Sequence, residues 1–276
     1  MSLPNGFTYN AGMNYSWENC PLEFKNLVDD IVTNHRDILC DNLTGIYLHG
    51  SLAMGCFNPV VSDLDYLAVV KQEVPVAEKK AVVEYLLSLH DRTPAGDIEM
   101  SIVLERYLHN FVYPTPFELH CSSSWSERFI NGEVDFTVTK TDEDLAAHSM
   151  VILERGVRLF GKPIAEVFTD TAHIKEAFRK SLLFDAGYLF EAYERNPLYT
   201  TLNLCRNLAY MREGKVLSKA EGADWALDNL PADFSPLITS AKNRYLGTGE
   251  GEMDAELLEP FVGFVKKEFD DMLGRS

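Results

Sequence analysis

Two short polar motifs carry residue types that bind phosphate groups and divalent metal ions. Gly50-Ser51 ends an apolar segment predicted to be a strand and precedes a short predicted helix, and backbone N–H groups at a helix start point toward anions. Twelve residues after Ser51, Asp63-Leu64-Asp65 opens a second predicted strand, on which Asp63 and Asp65 share one face. We expect both carboxylates to bind the same Mg²⁺, which takes one or two carboxylates together with substrate phosphates. The two motifs together predict the transfer of a nucleotidyl group.

A third carboxylate, Glu99, lies on the next predicted strand, at residues 98–104. Side chains alternate there, and Glu99 points away from the apolar face formed by Ile98, Met100, Ile102 and Leu104. A hydroxyl is a poor nucleophile at neutral pH, so a carboxylate within hydrogen-bond reach can accept its proton as a general base. We predict this role for Glu99 in the attack of a hydroxyl on the α-phosphorus of ATP; a solvated residue on a half-exposed strand is the alternative.

Hydrophobic periodicity predicts an α+β fold, with a mixed β-sheet flanked by helices in the N-terminal part of the chain. Its predicted helices span residues 23–39 and 76–90, and its strands span 45–49, 62–70 and 98–104, the last of them preceded by a turn at 93–97. Residues 111–141 predict a long functional loop with one short strand at 136–138. A helix at 142–155 and a turn at 160–163 complete this part.

Strand patterns disappear in the C-terminal part of the chain. Proline and glycine residues separate five predicted helices, at residues 172–195, 198–213, 218–229, 233–246 and 254–273. We therefore expect a nucleotidyltransferase domain at residues 1–168 and an α-helical bundle domain at residues 169–276.

Composition restricts the class of protein and its partners. The chain has 276 residues, a 46% hydrophobic fraction and five cysteines without a C-x-x-C pair, so neither a disulfide framework nor a zinc site is expected. It has no apolar run near the ~20 residues of a membrane span and no signal-peptide pattern, which predicts a cytoplasmic protein. The formal charge of −17 makes nucleic acid an unexpected partner and favours a small cationic substrate; a charge that only maintains solubility is the alternative.

The pattern G-S-x-A-x-G-x-x-x-x-x-x-S-D-L-D, from Gly50 to Asp65, resembles the DNA polymerase β-like nucleotidyltransferase superfamily. Further segments resemble the aminoglycoside (3'')(9) adenylyltransferase family, and with them the resemblance covers roughly Leu43 to Gly249. These segments are I-E-M-S-I-V at 98–103, F-E-L-H at 117–120, L-N-L-C-R at 202–206, G-K-V-L-S-K at 214–219, A-D-W-A-L at 223–227 and R-Y-L-G at 244–247. The family's fold is a nucleotidyltransferase domain followed by an α-helical domain, with the active site in the cleft between them.

The resemblance implies a role for each matching residue. It implies that Gly50 and Ser51 bind the ATP triphosphate, that Asp63 and Asp65 coordinate Mg²⁺, with two ions expected, and that Glu99 is the general base. Further ATP contacts are implied for Arg206, Lys219 and Tyr245, although Arg206 and Lys219 can instead pair with acidic residues on the bundle surface. A contact with the antibiotic is implied for Trp125, which is equally interpretable as a packing residue. No role follows for the histidines: His49 is interpreted as structural and the others lack metal-ligand spacing.

The acceptor is less well defined, because residues 187–197 depart from the pattern of family members that accept streptomycin. Glu191 and Glu194 can supply replacement negative charge or form the exposed face of a helix. We predict a Mg²⁺-dependent adenylyltransferase that moves AMP from ATP to a hydroxyl of a small aminoglycoside-like molecule of the streptomycin or spectinomycin type, a candidate antibiotic-resistance activity. The alternatives are an antitoxin-like enzyme with a protein or RNA acceptor and a catalytically silent nucleotide-binding module. A monomer is expected.

Overall fold

The computed structural model describes residues 14–59, 62–89, 97–249 and 253–274. It divides between Phe178 and Arg179 into two compact units. The domain boundary expected after residue 168 stays a prediction. Within these described ranges no helix combines the length and the apolar character needed to cross a membrane.

The described residues of the first unit form seven strands in two sheets. The strands are β1 (Leu43–Leu48), β2 (Leu64–Val70), β3 (Ile98–Leu104), β4 (Thr115–Phe117), β5 (Leu119–Cys121), β6 (Lys140–Asp142) and β7 (Val157–Gly161). The main sheet has the order β5-β3-β2-β1-β7, in which β2 and β3 are parallel and the other neighbours are antiparallel. The predicted mixed sheet is therefore confirmed. Strands β4 and β6 form a separate antiparallel pair.

Seven helices of the described chain accompany these strands. They are α1 (Leu22–Leu39), α2 (Gly50–Met54), α3 (Val76–Ser88), α4 (Arg106–His109), α5 (Ser123–Ile130), α6 (Leu145–Arg155) and α7 (Ile164–Val167). Apolar side chains of α1 and α3, such as Phe24 and Val82, pack against one face of the main sheet. That face is formed by alternate strand residues, including Leu64, Tyr66 and Met100. The intervening residues of β2 and β3 therefore face the other side of the sheet, where the predicted site residues lie.

The prediction of a long loop at residues 111–141 is wrong. This segment contains β4, β5, α5 and the start of β6, and the strand predicted at 136–138 is absent from it. Three-residue strands are too short to show an alternating pattern, and the pairing of β4 with β6 joins residues far apart in the sequence. The turn predicted at 160–163 is also wrong at its start, because Phe160 and Gly161 belong to β7. Residues 90–96, which include most of the turn predicted at 93–97, lie outside the described residues.

The second unit is helical, as predicted. Helix α8 (Thr171–Ala192) continues into it and is followed by α9 (Pro197–Glu213), α10 (Lys219–Asn229), α11 (Ser235–Tyr245) and α12 (Ala255–Met272). Buried side chains of α9, including Leu204 and Leu208, form the centre of its core with residues of α10, α11 and α12. Ser218 and Glu221 form a capping box at the start of α10, which fixes where that helix begins.

Candidate active site

The backbone of Gly50 lies directly against the side chain of Asp65. The N–H of His49 donates a hydrogen bond to the carbonyl oxygen of Asp65 at 3.0 Å, which joins the end of β1 to β2. Gly50 follows with a φ of +61°, and a Cβ atom placed on it would lie 1.8 Å from Oδ2 of Asp65 and 2.5 Å from its Cγ. A residue with a side chain therefore cannot occupy position 50 while Asp65 keeps its place.

Asp63 and Asp65 lie on the face of the sheet opposite the α1 and α3 core. They alternate with Leu64 and Tyr66, which are buried in that core. Asp63 is exposed, and its Oδ1 accepts a hydrogen bond from the N–H of Asp97 at 2.8 Å, which ties the starts of β2 and β3 together. Asp65 is half-buried. Both carboxylates are thus placed at one end of two parallel strands.

Two further observations concern the binding of phosphate and metal ions. The Oγ atom of Ser51 is buried and has no hydrogen-bond partner among the described residues. The described part of the chain holds no group of three or more histidine, cysteine, aspartate or glutamate side chains that could bind a metal ion. Asp63 and Asp65 form a two-carboxylate arrangement, which suits an ion whose other ligands are phosphates and water.

Glu99 is next to Asp65 across the parallel strands. The two residues are paired in the register of β2 and β3, so their side chains project from the same face of the sheet. The Glu99 side chain is 33% exposed, and its Oε1 lies 3.9 Å from Nε2 of His148 on α6. The strand register therefore brings the predicted base beside a predicted metal ligand.

Three histidines surround this carboxylate site. The rings of His49 and His148 are stacked, with centroids 4.4 Å apart and planes 28° apart. His120, on β5, lies within 2.9 Å of the Oγ of Ser101 through its Nδ1, and Ser101 follows Glu99 by two residues on the same face of β3. Because His49 follows β1 while the other two side chains come from β5 and α6, no local sequence pattern unites the three or predicts this arrangement.

Burial determines the charge of two of these histidines. Desolvation, followed by the nearby His148, holds the pKa of His49 well below its usual value, so the ring is neutral at neutral pH. Desolvation also lowers the pKa of His120, against the opposite effects of Glu99 and Asp142. The site therefore combines neutral rings with carboxylates.

A second group of predicted residues lies in the helical unit. The ammonium group of Lys219 is 5.0 Å from the ring centre of Tyr199 and 5.8 Å from that of Tyr245. Contacts of this kind attract a cation to a ring face and restrict the motion of its side chain. The structure therefore brings Lys219 and Tyr245 together and adds Tyr199, which the sequence analysis did not single out.

Arg206 lies beside the same helix as Lys219. A Cβ atom on Gly222 would lie 2.7 Å from the Cβ of Arg206, so the absence of a side chain at position 222 lets α10 approach α9 at this point. The Nε of Arg206 is buried and lacks a hydrogen-bond partner within the described ranges. The backbone and Cβ of Arg206 thus lie against α10, and its guanidinium group has one donor atom without a hydrogen bond among the described residues.

Comparisons with known proteins agree with this arrangement. The family profile described as the C-terminal domain of aminoglycoside adenylyltransferase matches residues 168–268. The aminoglycoside (3'') (9) adenylyltransferase of Escherichia coli is 29% identical over 242 residues, which cover 84% of this chain and 90% of that protein. The spectinomycin 9-adenylyltransferase of Campylobacter jejuni is 27% identical over 263 residues, which cover 91% and 97% of the two chains.

The chain is an aminoglycoside adenylyltransferase-like nucleotidyltransferase. Its fold also matches a crystal structure of the spectinomycin adenyltransferase AAD(9) from Enterococcus faecialis with ATP and spectinomycin, at a TM-score of 0.74. That match covers 89% of this chain and 99% of the other at 19% identity, and it concerns the fold alone. The predicted family and fold class are confirmed.

Trp125 of this nucleotidyltransferase lies on α5 in an aromatic cluster. Its ring centre is 5.5 Å from that of His120 and 5.8 Å from that of Phe129. Two cations, Arg128 at 4.7 Å and Lys140 at 4.6 Å, also lie against this ring. Trp125 is therefore connected to the carboxylate face through His120, and its ring already has cationic partners within the protein.

Glu191 and Glu194, the remaining predicted substrate residues, are both exposed. Glu191 lies in the last turn of α8 and Glu194 in the short 3₁₀ turn Tyr193–Arg195 that follows it. Their exposure agrees with either interpretation, replacement negative charge or a solvated surface. A role in acceptor binding stays a prediction for this nucleotidyltransferase.

Proposed function

We propose that this nucleotidyltransferase moves AMP from ATP to a hydroxyl group of a small aminoglycoside-like molecule. The observation that carries the proposal is the position of Asp65, which lies against Gly50 on one side and is paired with Glu99 on the other. Relatives named as aminoglycoside (3'') (9) and spectinomycin 9-adenylyltransferases align with most of the chain and support the choice of acceptor class. Such an activity would make the protein a candidate antibiotic-resistance enzyme.

Asp63 and Asp65 fit the binding of Mg²⁺ with ATP phosphates. The Asp65 carboxylate occupies the space that a Cβ atom on Gly50 would need, and the unsatisfied Oγ of Ser51, the next residue, offers a hydrogen bond. Two ions are expected by the family resemblance. When bound, Mg²⁺ supplies positive charge that offsets the negative charge developing on the phosphate oxygens.

Glu99 is proposed as the general base. It accepts the proton of the acceptor hydroxyl, whose oxygen forms a bond to the α-phosphorus of ATP. The bond between that phosphorus and the bridging oxygen of the β-phosphate breaks, and pyrophosphate leaves with the bonding electrons. AMP remains on the acceptor. The position of Glu99 beside Asp65 supports this role because the reacting hydroxyl must approach the phosphate whose Mg²⁺ the aspartates would hold.

Arg206, Lys219 and Tyr245 are proposed to contact ATP, as the family resemblance implies. Lys219 supports this assignment because the rings of Tyr199 and Tyr245 hold its ammonium group in place before a ligand arrives. A fixed positive charge stabilises the triphosphate without the entropic cost of ordering a long side chain. The AAD(9) structure contains ATP, which supports the choice of nucleotide.

The acceptor is proposed to be cationic. The formal charge of −17 attracts small cations, and Glu191 and Glu194 provide exposed carboxylates in the helical unit. Trp125 is proposed to contact the acceptor, although Arg128 and Lys140 already lie against its ring. A cytoplasmic location and a monomeric state remain predictions.

Release of pyrophosphate from ATP tests the proposal directly. The purified protein is assayed with Mg²⁺ and with streptomycin, spectinomycin or a kanamycin-type acceptor, and the Asp65→Asn variant serves as the blank. We expect pyrophosphate release with streptomycin or spectinomycin, together with a product that carries one AMP. Release only with a protein or RNA acceptor would contradict the acceptor class. Mg²⁺-dependent ATP binding without release for any acceptor would instead identify a silent nucleotide-binding module.

A further inference from the structure

His148 lies between a buried aromatic ring and the proposed base. On one side its ring is stacked on His49, which is only 4% exposed and directly follows β1. On the other side its Nε2 lies 3.9 Å from Oε1 of Glu99. The same imidazole therefore lies between a buried ring at the end of β1 and the carboxylate of Glu99.

This arrangement restricts the imidazole of His148. Stacked aromatic rings resist rotation because the faces lose contact when one ring turns. The ring of His49 is confined by burial, and the backbone N–H of His49 donates a hydrogen bond to the backbone carbonyl oxygen of Asp65. The stack thus holds the plane of His148 and keeps its Nε2 directed at Glu99.

Glu99 needs such a neighbour more than a shorter acid would. Its carboxylate has three rotatable bonds between it and β3, and its side chain is 33% exposed. A base that acts on one hydroxyl has to present one oxygen in one direction, and small losses of alignment reduce the rate strongly. His120, held beside Ser101, is close enough to the same carboxylate for that negative charge to oppose the lowering of the His120 pKa by burial.

We propose that His148 is a positioning residue for Glu99. It attracts Oε1 and leaves Oε2 to accept the proton of the acceptor hydroxyl. The distance of 3.9 Å is longer than a hydrogen bond and within the range of an electrostatic contact, so the effect is one of orientation. This inference rests on the proposed function, because it assigns a partner to the base of that reaction.

The test uses variants that separate the polar contact from packing. His148→Leu keeps most of the volume and removes the ring nitrogen, whereas His148→Gln retains an N–H group near the position of Nε2. His109→Leu is the matched control, because His109 lies 3.7 Å from Oε1 of Glu105, a similar histidine–glutamate contact outside the proposed site. Each variant is measured for kcat, for the KM of the acceptor, for the Kd of ATP and for its Tm. His148→Leu is also made in the Glu99→Gln background.

We expect His148→Leu to lower kcat about ten-fold, with the ATP Kd and the acceptor KM within about two-fold of wild type. We expect His148→Gln to recover most of the loss, and His109→Leu to behave as wild type. In the Glu99→Gln background His148→Leu should change the residual rate less than about two-fold, because its action passes through Glu99. A purely structural role would instead lower Tm and reduce both backgrounds equally.

Two kinds of failure are distinguishable. An active wild-type enzyme whose kcat is unchanged in His148→Leu, or equally reduced in His148→Gln and His148→Leu, would overturn this inference and leave the proposed function intact. A wild-type protein that releases no pyrophosphate with any acceptor would overturn the proposed function, and the positioning role with it.

Discussion

The side chain of Asp65 lies against Gly50 and occupies the space that a side chain at position 50 would need. A Cβ atom on Gly50 would lie 1.8 Å from Oδ2 of Asp65, and the residue has a positive φ of +61°. The carboxylate that is proposed to bind Mg²⁺ can therefore keep its position only because Gly50, at the start of α2, has no side chain.

Gly50→Ala is predicted to abolish pyrophosphate release, because its Cβ displaces the Asp65 carboxylate. Gly55→Ala is the matched control: Gly55 also has a positive φ, of +78°, but its Cβ would meet only Ser16 at 3.8 Å. Both variants lose about 1–2 kcal/mol of stability from the left-handed backbone. Urea unfolding and the pyrophosphate assay measure the two effects. Equal activity in both variants would contradict the role of the Gly50–Asp65 contact.

Glu99→Gln is predicted to lower kcat about 100-fold or more while the Kd of ATP changes less than about two-fold. Glutamine has the same shape but cannot accept the hydroxyl proton at neutral pH. Glu84→Gln, an exposed change on α3, controls for the loss of one negative charge. Steady-state kinetics and calorimetric ATP titration provide the two values. A kcat within a few-fold of wild type would remove Glu99 as the base.

Lys219→Ala is predicted to weaken ATP binding about ten-fold, equivalent to about 1.4 kcal/mol. The change removes a cation that Tyr199 and Tyr245 hold in place. Lys215→Ala removes an exposed lysine four residues earlier, which pairs with Glu213, and should leave the ATP Kd unchanged. Calorimetric titration of both variants with ATP measures the difference. Equal affinities would assign Lys219 to the surface ion pairs instead.

The stability of the fold is predicted to fall on acidification because of His35. Burial lowers the pKa of His35 to about 4, so the folded protein disfavours the protonated ring, which the unfolded chain accepts near its ordinary pKa of 6.5. The contribution of neutral His35 to the free energy of unfolding is therefore complete above pH 6.5. It declines as the pH falls from 6.5 toward 4, by up to about 1.4 kcal/mol per pH unit for one proton.

His35→Gln tests this dependence, because glutamine can keep a hydrogen bond to Tyr66 but does not titrate. Urea unfolding is measured at pH 7, 6 and 5 for both proteins. The variant should lose less stability than wild type over this range. Identical pH profiles would show that His35 is not the group responsible.

The sequence predicted most of the regular structure that positions the site. Strand β3 and the helices of the second unit were predicted within a few residues, because alternation in β3 and the Pro and Gly residues between helices are strong local signals. The three-residue strands between residues 111 and 142 carry no such signal. Their existence depends on partners far away in the chain, such as the pairing of Thr115 with Asp142.

The sequence predicted the three acidic residues of the candidate site but not the histidines around them. Asp63, Asp65 and Glu99 belong to motifs, and the register of β2 with β3 brings the last two together. His148 contributes from α6, about fifty residues beyond Glu99 in the sequence, and only the folded chain places it there. Of the three histidines, only His49 has a local sequence signal, because it immediately precedes Gly50.

Asp63 and Asp65 are proposed to bind the metal ion used in nucleotidyl transfer. The most direct measurement is the rate of pyrophosphate release as Mg²⁺ is titrated into wild type, Asp63→Asn and Asp65→Asn, with Tm recorded for each. We predict that release requires Mg²⁺ and falls about 1,000-fold in Asp65→Asn, from the loss of several kcal/mol of transition-state stabilisation, while Tm stays near that of wild type. Release that is independent of divalent ions, or an Asp65→Asn variant with more than about a tenth of the wild-type rate, would contradict the claim.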